Sequence, residues 1–164
     1  LDQVVGAALR HLEAGGGSPE VKVKLPEGLP LVPLDAVPME QLLINLLANA
    51  KDAMPETGGV IVVSTKLKTP KGIVTLKVAD SGSGIDEATA KKIFDPFFTT
   101  KSVGKGTGLG LSVSFGIVKD HMGDIRVESP LPADFEMPPL PEGAVRGPGT
   151  VFTVDIPLDH CSLS

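Results

Sequence analysis

Residues 45–53 read Asn45-Leu46-Leu47-Ala48-Asn49-Ala50-Lys51-Asp52-Ala53 and lie in the most strongly periodic stretch of the chain. Met39, Leu42, Leu43, Leu46, Leu47, Ala50 and Met54 recur at helical steps, which makes one apolar stripe. Gln41, Asn45, Asn49 and Asp52 fall together on the opposite side, a turn apart. The pattern predicts a helix from an N-cap at Asp35 to about Met54. Such a helix packs through its leucine face and leaves its amide face for other use. An amide oxygen is a hard, neutral ligand that suits magnesium held mainly by phosphates and water. Two asparagines on a solvated face carry no chemistry by themselves, so their meaning depends on what the chain brings opposite them.

Outward from this helix, Leu1 to Glu13 shows a second helical spacing, ended by the glycines at 15–17 and Pro19. Val21, Val23 and Leu25 alternate with lysines, as in a half-buried strand, and Leu31 to Leu34 is read as a short edge strand. Val60–Leu67 and Ile73–Ala79 form a hairpin through Pro70-Lys71-Gly72. A short helix follows over Asp86–Phe94, then a loop rich in Gly, Lys and Thr. A helix over Gly108 to about Met122 is expected to part-bury Leu109, Leu111, Val113, Ile117 and Val118. Ile125–Glu128 and Val151–Ile156 read as closing strands, separated by an extended, proline-rich surface loop over 129–149. Helix, strand, helix, two strands, two helices and two strands predict a two-layer α/β (α+β) sandwich. It has one mixed, mostly antiparallel sheet with helices on one face.

Composition narrows the function. The chain has 164 residues, 41% of them hydrophobic, enough for a real core. Lys and Arg number 15 against 20 Asp and Glu, and aromatics are 4% with no Trp or Tyr. A net charge of −5 without stacking platforms argues against nucleic acid as a partner. The single cysteine, Cys161, excludes an internal disulfide and a Cys-rich metal site. No apolar run is long enough for a membrane span, and a cytoplasmic location is expected.

Two further stretches carry chemistry. In Asp80-Ser81-Gly82-Ser83-Gly84-Ile85, a carboxylate ends a strand and glycines follow. A carboxylate accepts a hydrogen bond from an exocyclic amine and so favours adenine over guanine. Gly82 and Gly84 allow close backbone approach to a flat ring. An ordinary strand-to-helix turn capped by Asp86 would read the same way alone. In Gly104-Lys105-Gly106-Thr107-Gly108-Leu109-Gly110-Leu111, alternating glycines lead into a helix whose first amides can bind phosphate. Lys101 and Lys105 add charge there, and the glycine density predicts a loop that closes over ligand. No Gly-Lys-Ser or Gly-Lys-Thr occurs, which excludes the common phosphate loop. The glycine spacing does not fit the dinucleotide fingerprint either.

In this order the segments resemble the ATP-binding catalytic domain of sensor histidine kinases, part of the group shared with DNA gyrase, the Hsp90 chaperone and MutL. Asn45–Ala53 resembles the family's N box and Asp80–Ile85 its first glycine box. Phe94-Asp95-Pro96-Phe97-Phe98-Thr99-Thr100-Lys101 resembles the F box, and Gly106–Leu111 the second glycine box. The resemblance implies the Bergerat ATP-binding fold over residues 1–158, with an ATP lid over about 95–108 and a tail over 159–164. It implies ATP and Mg2+ as cofactors. Asn49 is then the main magnesium ligand, assisted by Asn45, and Asp80 meets the adenine amine. Gly82, Gly84 and Ile85 shape the adenine pocket. Gly106, Thr107, Gly108 and Gly110 contact phosphates, with Leu109 and Leu111 beside them. Phe98 and Asp52 also border the nucleotide, and Phe94 and Phe98 anchor the lid. Asn45, Lys101 and Lys105 are expected to serve catalysis.

The chain departs from the family in two places. Many members carry a Lys three residues after the second Asn, where this chain has Asp52, so Lys101 or Lys105 is expected to supply the charge. The family's last hairpin is short, whereas here 130–148 is long and proline-rich, either a partner surface or an insertion. In ATPase relatives a Glu one turn before the magnesium Asn is the general base. Here that position is Asn45, which cannot take a proton. The resemblance therefore implies phosphoryl transfer to a histidine on a separate dimerisation domain, then to a response regulator, within a homodimeric parent. His11, His121 and His160 are expected to be structural or solvated. A protein-serine kinase of the same group and a nucleotide-sensing module without phosphotransfer are the alternatives.

Overall fold

The structure, a computed structural model, describes residues 1–13, 19–30, 32, 34–101, 104 and 108–158. Its central helix, α2 (Ala36–Asp52), buries Met39, Leu42, Leu43, Leu46, Leu47 and Ala50. These are the residues the helical period selects. Burying a leucine contributes roughly 1.5–3 kcal/mol, so this face dominates the core. Asp35 occupies the N-cap with extended backbone, but its carboxylate makes no capping bond. Its N–H instead donates to Nε2 of His121 at 3.0 Å. Because Nε2 accepts, the neutral ring carries its proton on Nδ1, which lies 2.8 Å from the Ile117 carbonyl. Asp35 is thus the N-cap expected, held in place through its own N–H by a distant ring and not through its carboxylate.

The five-stranded sheet has the order β1-β2-β3-β5-β4. β1 (Glu20–Lys24) pairs parallel with β2 (Val60–Lys68), and β3 (Ile73–Asp80), β5 (Thr150–Pro157) and β4 (Asp124–Glu128) add antiparallel. α1 (Asp2–Glu13), α2 and α4 (Gly110–Asp120) pack against one face. Inward residues of alternate strand positions, among them Ile61, Val63, Leu76, Val78, Phe152 and Val154, meet the α2 leucines there. α3 (Glu87–Lys92) is capped as expected, with Thr89 N–H donating to the Asp86 carboxylate at 2.7 Å. The sandwich with a mixed sheet and one-sided helices is the one predicted.

Three expectations change. Val32 and Leu34 lie in no strand, and residues 31 and 33 fall outside the described residues. α4 begins at Gly110 rather than Gly108, with Leu109 and Val113 exposed, because its inner face runs through Ser114 and Val118 instead. The proline-rich stretch 129–149 has no helix or strand, yet it covers the second face of the sheet. Leu131, Phe135, Met137 and Leu140 pack on Val60, Val62, Ala79 and Val151. Among the described residues, no helix is long and apolar enough to cross a membrane.

Candidate functional site

Asp80 is the last residue of β3, paired with Ile61 on one side and Thr150 on the other. This central register leaves it 3% exposed. Its Oδ1 accepts from the Gly82 N–H at 2.9 Å. Burial pushes its pKa up to about 6, against the opposing backbone hydrogen bonds from Gly82 and Thr150. A buried carboxylate at the wall of a cavity is an unusual investment, and it suits a ligand that brings its own donor.

That cavity has a volume of about 730 Å³ and lies between α2, the 80–85 turn, α3, the F-box segment and the start of α4. Asn45, Asn49, Asp52, Asp80, Gly84, Ile85, Phe98, Lys101, Gly108, Gly110 and Leu111 all line it. Residues as far apart in sequence as Asn45 and Phe152 thus share one space. Gly82 sits just beneath the wall, where a Cβ would come within 2.5 Å of the Ala53 carbonyl oxygen. Its absence lets the turn pack on the end of α2, and Ser83 N–H donates to that same carbonyl at 3.0 Å. Leu109 is the N-cap of α4 and 38% exposed. Lys105, Gly106 and Thr107 lie outside the described residues.

The two asparagines differ. Asn45 is a strut: its Oδ1 accepts from Gln41 Nε2 at 2.9 Å, and its Nδ2 donates to the Gly110 carbonyl at 3.1 Å and Ser114 Oγ at 3.4 Å. It ties α2 to the first turn of α4. The Asn49 amide lines the cavity one turn on and bonds to no described residue. At the rim, the Lys101 ammonium pairs with the Asp52 carboxylate. Lys51 points elsewhere, into a smaller cleft against α1.

The middle of the F-box segment is held by a backbone clasp. Phe97 N–H donates to the Gly108 carbonyl at 2.9 Å, with φ of 65° at Phe97 and 67° at Gly108. A Cβ on Gly108 would lie 2.3 Å from the Phe97 carbonyl carbon. Phe94 lies 5.8 Å from Phe115 with the rings tilted by 41°, and edge-on at 6.3 Å from Phe152.

Sequence reasoning missed several lining residues. Ala48 lies on the amide face of α2, and Thr89 and Ile93 are one turn apart on α3. Their helical spacing was a usable signal. Thr150 and Phe152 enter only through strand register, which no local pattern reveals.

Residues 34–160 match the family described as histidine kinase-, DNA gyrase B-, and HSP90-like ATPase. The chain belongs to this family. Its similarity extends to the catalytic domain of the histidine kinase ThkA, at 30% identity and a TM-score of 0.75, covering 96% of this chain and 92% of that one. The mycobacterial sensor histidine kinase MprB gives 26% identity and a TM-score of 0.76, covering 95% and 94%. In sequence, the sensor kinase CckA of Brucella abortus is 35% identical over 92% of this chain and 16% of its own length. The C4-dicarboxylate transport sensor protein DctS of Rhodobacter capsulatus is 36% identical over 96% and 22%. The chain therefore spans about a fifth of these curated relatives. This HATPase domain is of the histidine-kinase type and, as its family implies, an ATP-binding one.

Proposed function

We propose that this domain binds Mg-ATP and donates the γ-phosphoryl group to a histidine on a separate dimerisation domain, from which a response regulator takes it. The observation that carries the reading is one cavity with the buried Asp80 carboxylate in its wall and, on its α2 side, the Asn49 side-chain amide, which bonds to no described residue. The adenine amine donates to Asp80. Gly84, Ile85 and Phe98 supply apolar walls for the ring. The phosphates extend toward Asn49 and the start of α4, whose first amides have no intrahelical partners.

The residues fit a magnesium ion carried by phosphate. Among the described residues no cluster of His, Cys, Asp and Glu could hold a metal alone, and a neutral amide is the donor such a shared site needs. Magnesium, when bound, neutralises phosphate charge and orients the terminal phosphoryl group. Asn49 is its ligand. Asn45 acts next to it by fixing Gly110 and so the phosphate-facing turn. Lys101 brings positive charge to the rim, with Lys105, Gly106 and Thr107 assigned to the same lid.

The cavity offers no base for water at Asn45, so the bound triphosphate awaits a stronger nucleophile. An imidazole nitrogen attacks phosphorus, the bridging oxygen leaves with ADP, and a phosphorus–nitrogen bond forms. His121 is not the acceptor, since both ring nitrogens are engaged. The domain works as part of a homodimeric, two-component kinase with its catalytic side in the cytoplasm. The test is to incubate this chain with labelled ATP, alone and with the parent's dimerisation domain. Acid-labile label on the second protein alone supports the proposal. Label on this chain alone, or acid-stable label as in a serine kinase, overturns it.

A further inference from the structure

We infer that the proline-rich segment 129–149 is the outer buttress of the nucleotide site, and that Ser129 is a positioning residue for the adenine-facing turn 80–85. This rests on the ATP-binding reading above.

The segment leaves β4 at Ser129 and returns to β5 at Gly149, and both ends grip the same turn. Ser129 Oγ accepts from the Ile85 N–H at 2.9 Å and donates to the Gly149 carbonyl at 2.7 Å. Thr150 Oγ1 donates to Ser129 Oγ at 3.4 Å. A hydroxyl has one proton and two lone pairs, and all three are used. At the returning end, Gly147 N–H donates to the Ser81 carbonyl at 2.9 Å and Gly149 N–H to the Gly82 carbonyl at 3.0 Å.

The fit is close enough to exclude side chains. A Cβ on Gly147 would lie 2.0 Å from the Gly82 carbonyl oxygen, and one on Gly84 would lie 2.8 Å from Pro148. Gly84 has a φ of 71°, so its backbone also favours glycine. Gly84 and Ile85 face the cavity on one side of the turn and meet Pro148 and Ser129 on the other. The middle of the segment cannot drift, because Phe135, Met137 and Leu140 are seated on the sheet and the Lys77 ammonium lies 5.8 Å from the Phe135 ring centre. The segment thus forms a wall behind the adenine pocket.

The experiment compares Ser129→Ala and Ser129→Thr in this chain. Calorimetry reads Mg-ATP and Mg-tripolyphosphate binding, and amide exchange reads the ligand-free protein. In Ser129→Ala we expect ATP affinity to fall about tenfold, the loss of roughly one well-made hydrogen-bond pair. Tripolyphosphate binding should be unchanged, the Ile85 amide should exchange faster, and Ser129→Thr should recover most of the loss. Unchanged ATP affinity with unchanged Ile85 exchange overturns the inference. So does an equal loss for ATP and tripolyphosphate, which marks general destabilisation. A wild-type chain that binds no ATP sinks the ATP reading instead, and the exchange data still report whether the turn depends on Ser129.

Discussion

The Lys101 ammonium at the end of the F-box segment is paired with the Asp52 carboxylate, 49 positions earlier in the last turn of α2. The pair straddles the cavity rim. An exposed pair contributes only about 0–1 kcal/mol to stability, so its importance lies in charge placement.

On the ATP-binding reading proposed above, removing Lys101 leaves the Asp52 carboxylate uncompensated at the rim of the site. Lys101→Ala should weaken ATP binding about tenfold at low salt, while Asp52→Asn should strengthen it several-fold by freeing the lysine. Both effects should shrink at high salt, and melting temperatures should move little. Calorimetry at two ionic strengths checks this; equal effects of the two variants would refute it.

Asp80 gives a prediction with a definite sign. Its pKa is raised from 3.8 to about 6 by burial, so the folded protein holds the proton more tightly than the unfolded chain. Its contribution to stability is therefore full below the unfolded value and is lost as pH rises through about 6. Roughly two decades at about 1.4 kcal/mol each give on the order of 3 kcal/mol. Asp80→Asn should thus melt higher than wild type at neutral pH, converge with it in acid, and bind ATP at least tenfold more weakly. Wild-type ATP affinity should fall as pH drops through about 6. Thermal melts and titrations across pH 4–8 (roughly the window of this group) test all three statements.

The two asparagines should fail differently. Asn49→Ala should remove most of the magnesium dependence of ATP binding and leave metal-free binding nearly intact. Asn45→Ala breaks the strut to Gly110 and Ser114. It should weaken binding with and without magnesium alike. Titrations in magnesium and in chelator separate the two.

Gly108→Ala should loosen the clasp between Phe97 and Gly108. The new methyl carbon would collide with Phe97, at a backbone angle that side chains rarely adopt. A cost of roughly 1–3 kcal/mol should appear as faster amide exchange at Phe97 with little change in the α2 leucines. An unperturbed Phe97 amide would show that the clasp is absent in solution.

Periodicity made α2, its leucine face, the hairpin and the closing strands legible, because hydrophobic burial imposes the helical and strand periods on local sequence. Asp80 and the glycines around it were equally visible, since a turn that must approach another backbone admits few residue types. Asp35 was legible as the N-cap of α2, but the bond from its N–H to His121, 86 positions away, was not, because no local rule names a distant acceptor. The pairing of Lys101 with Asp52 and the seat of Ser129 against Ile85 were hidden for the same reason. The amide row, the carboxylate and the glycine runs are written in the order of the residues. Their convergence on one cavity, and the proline-rich wall behind it, came from sheet register and packing, because those depend on contacts between segments far apart in the chain.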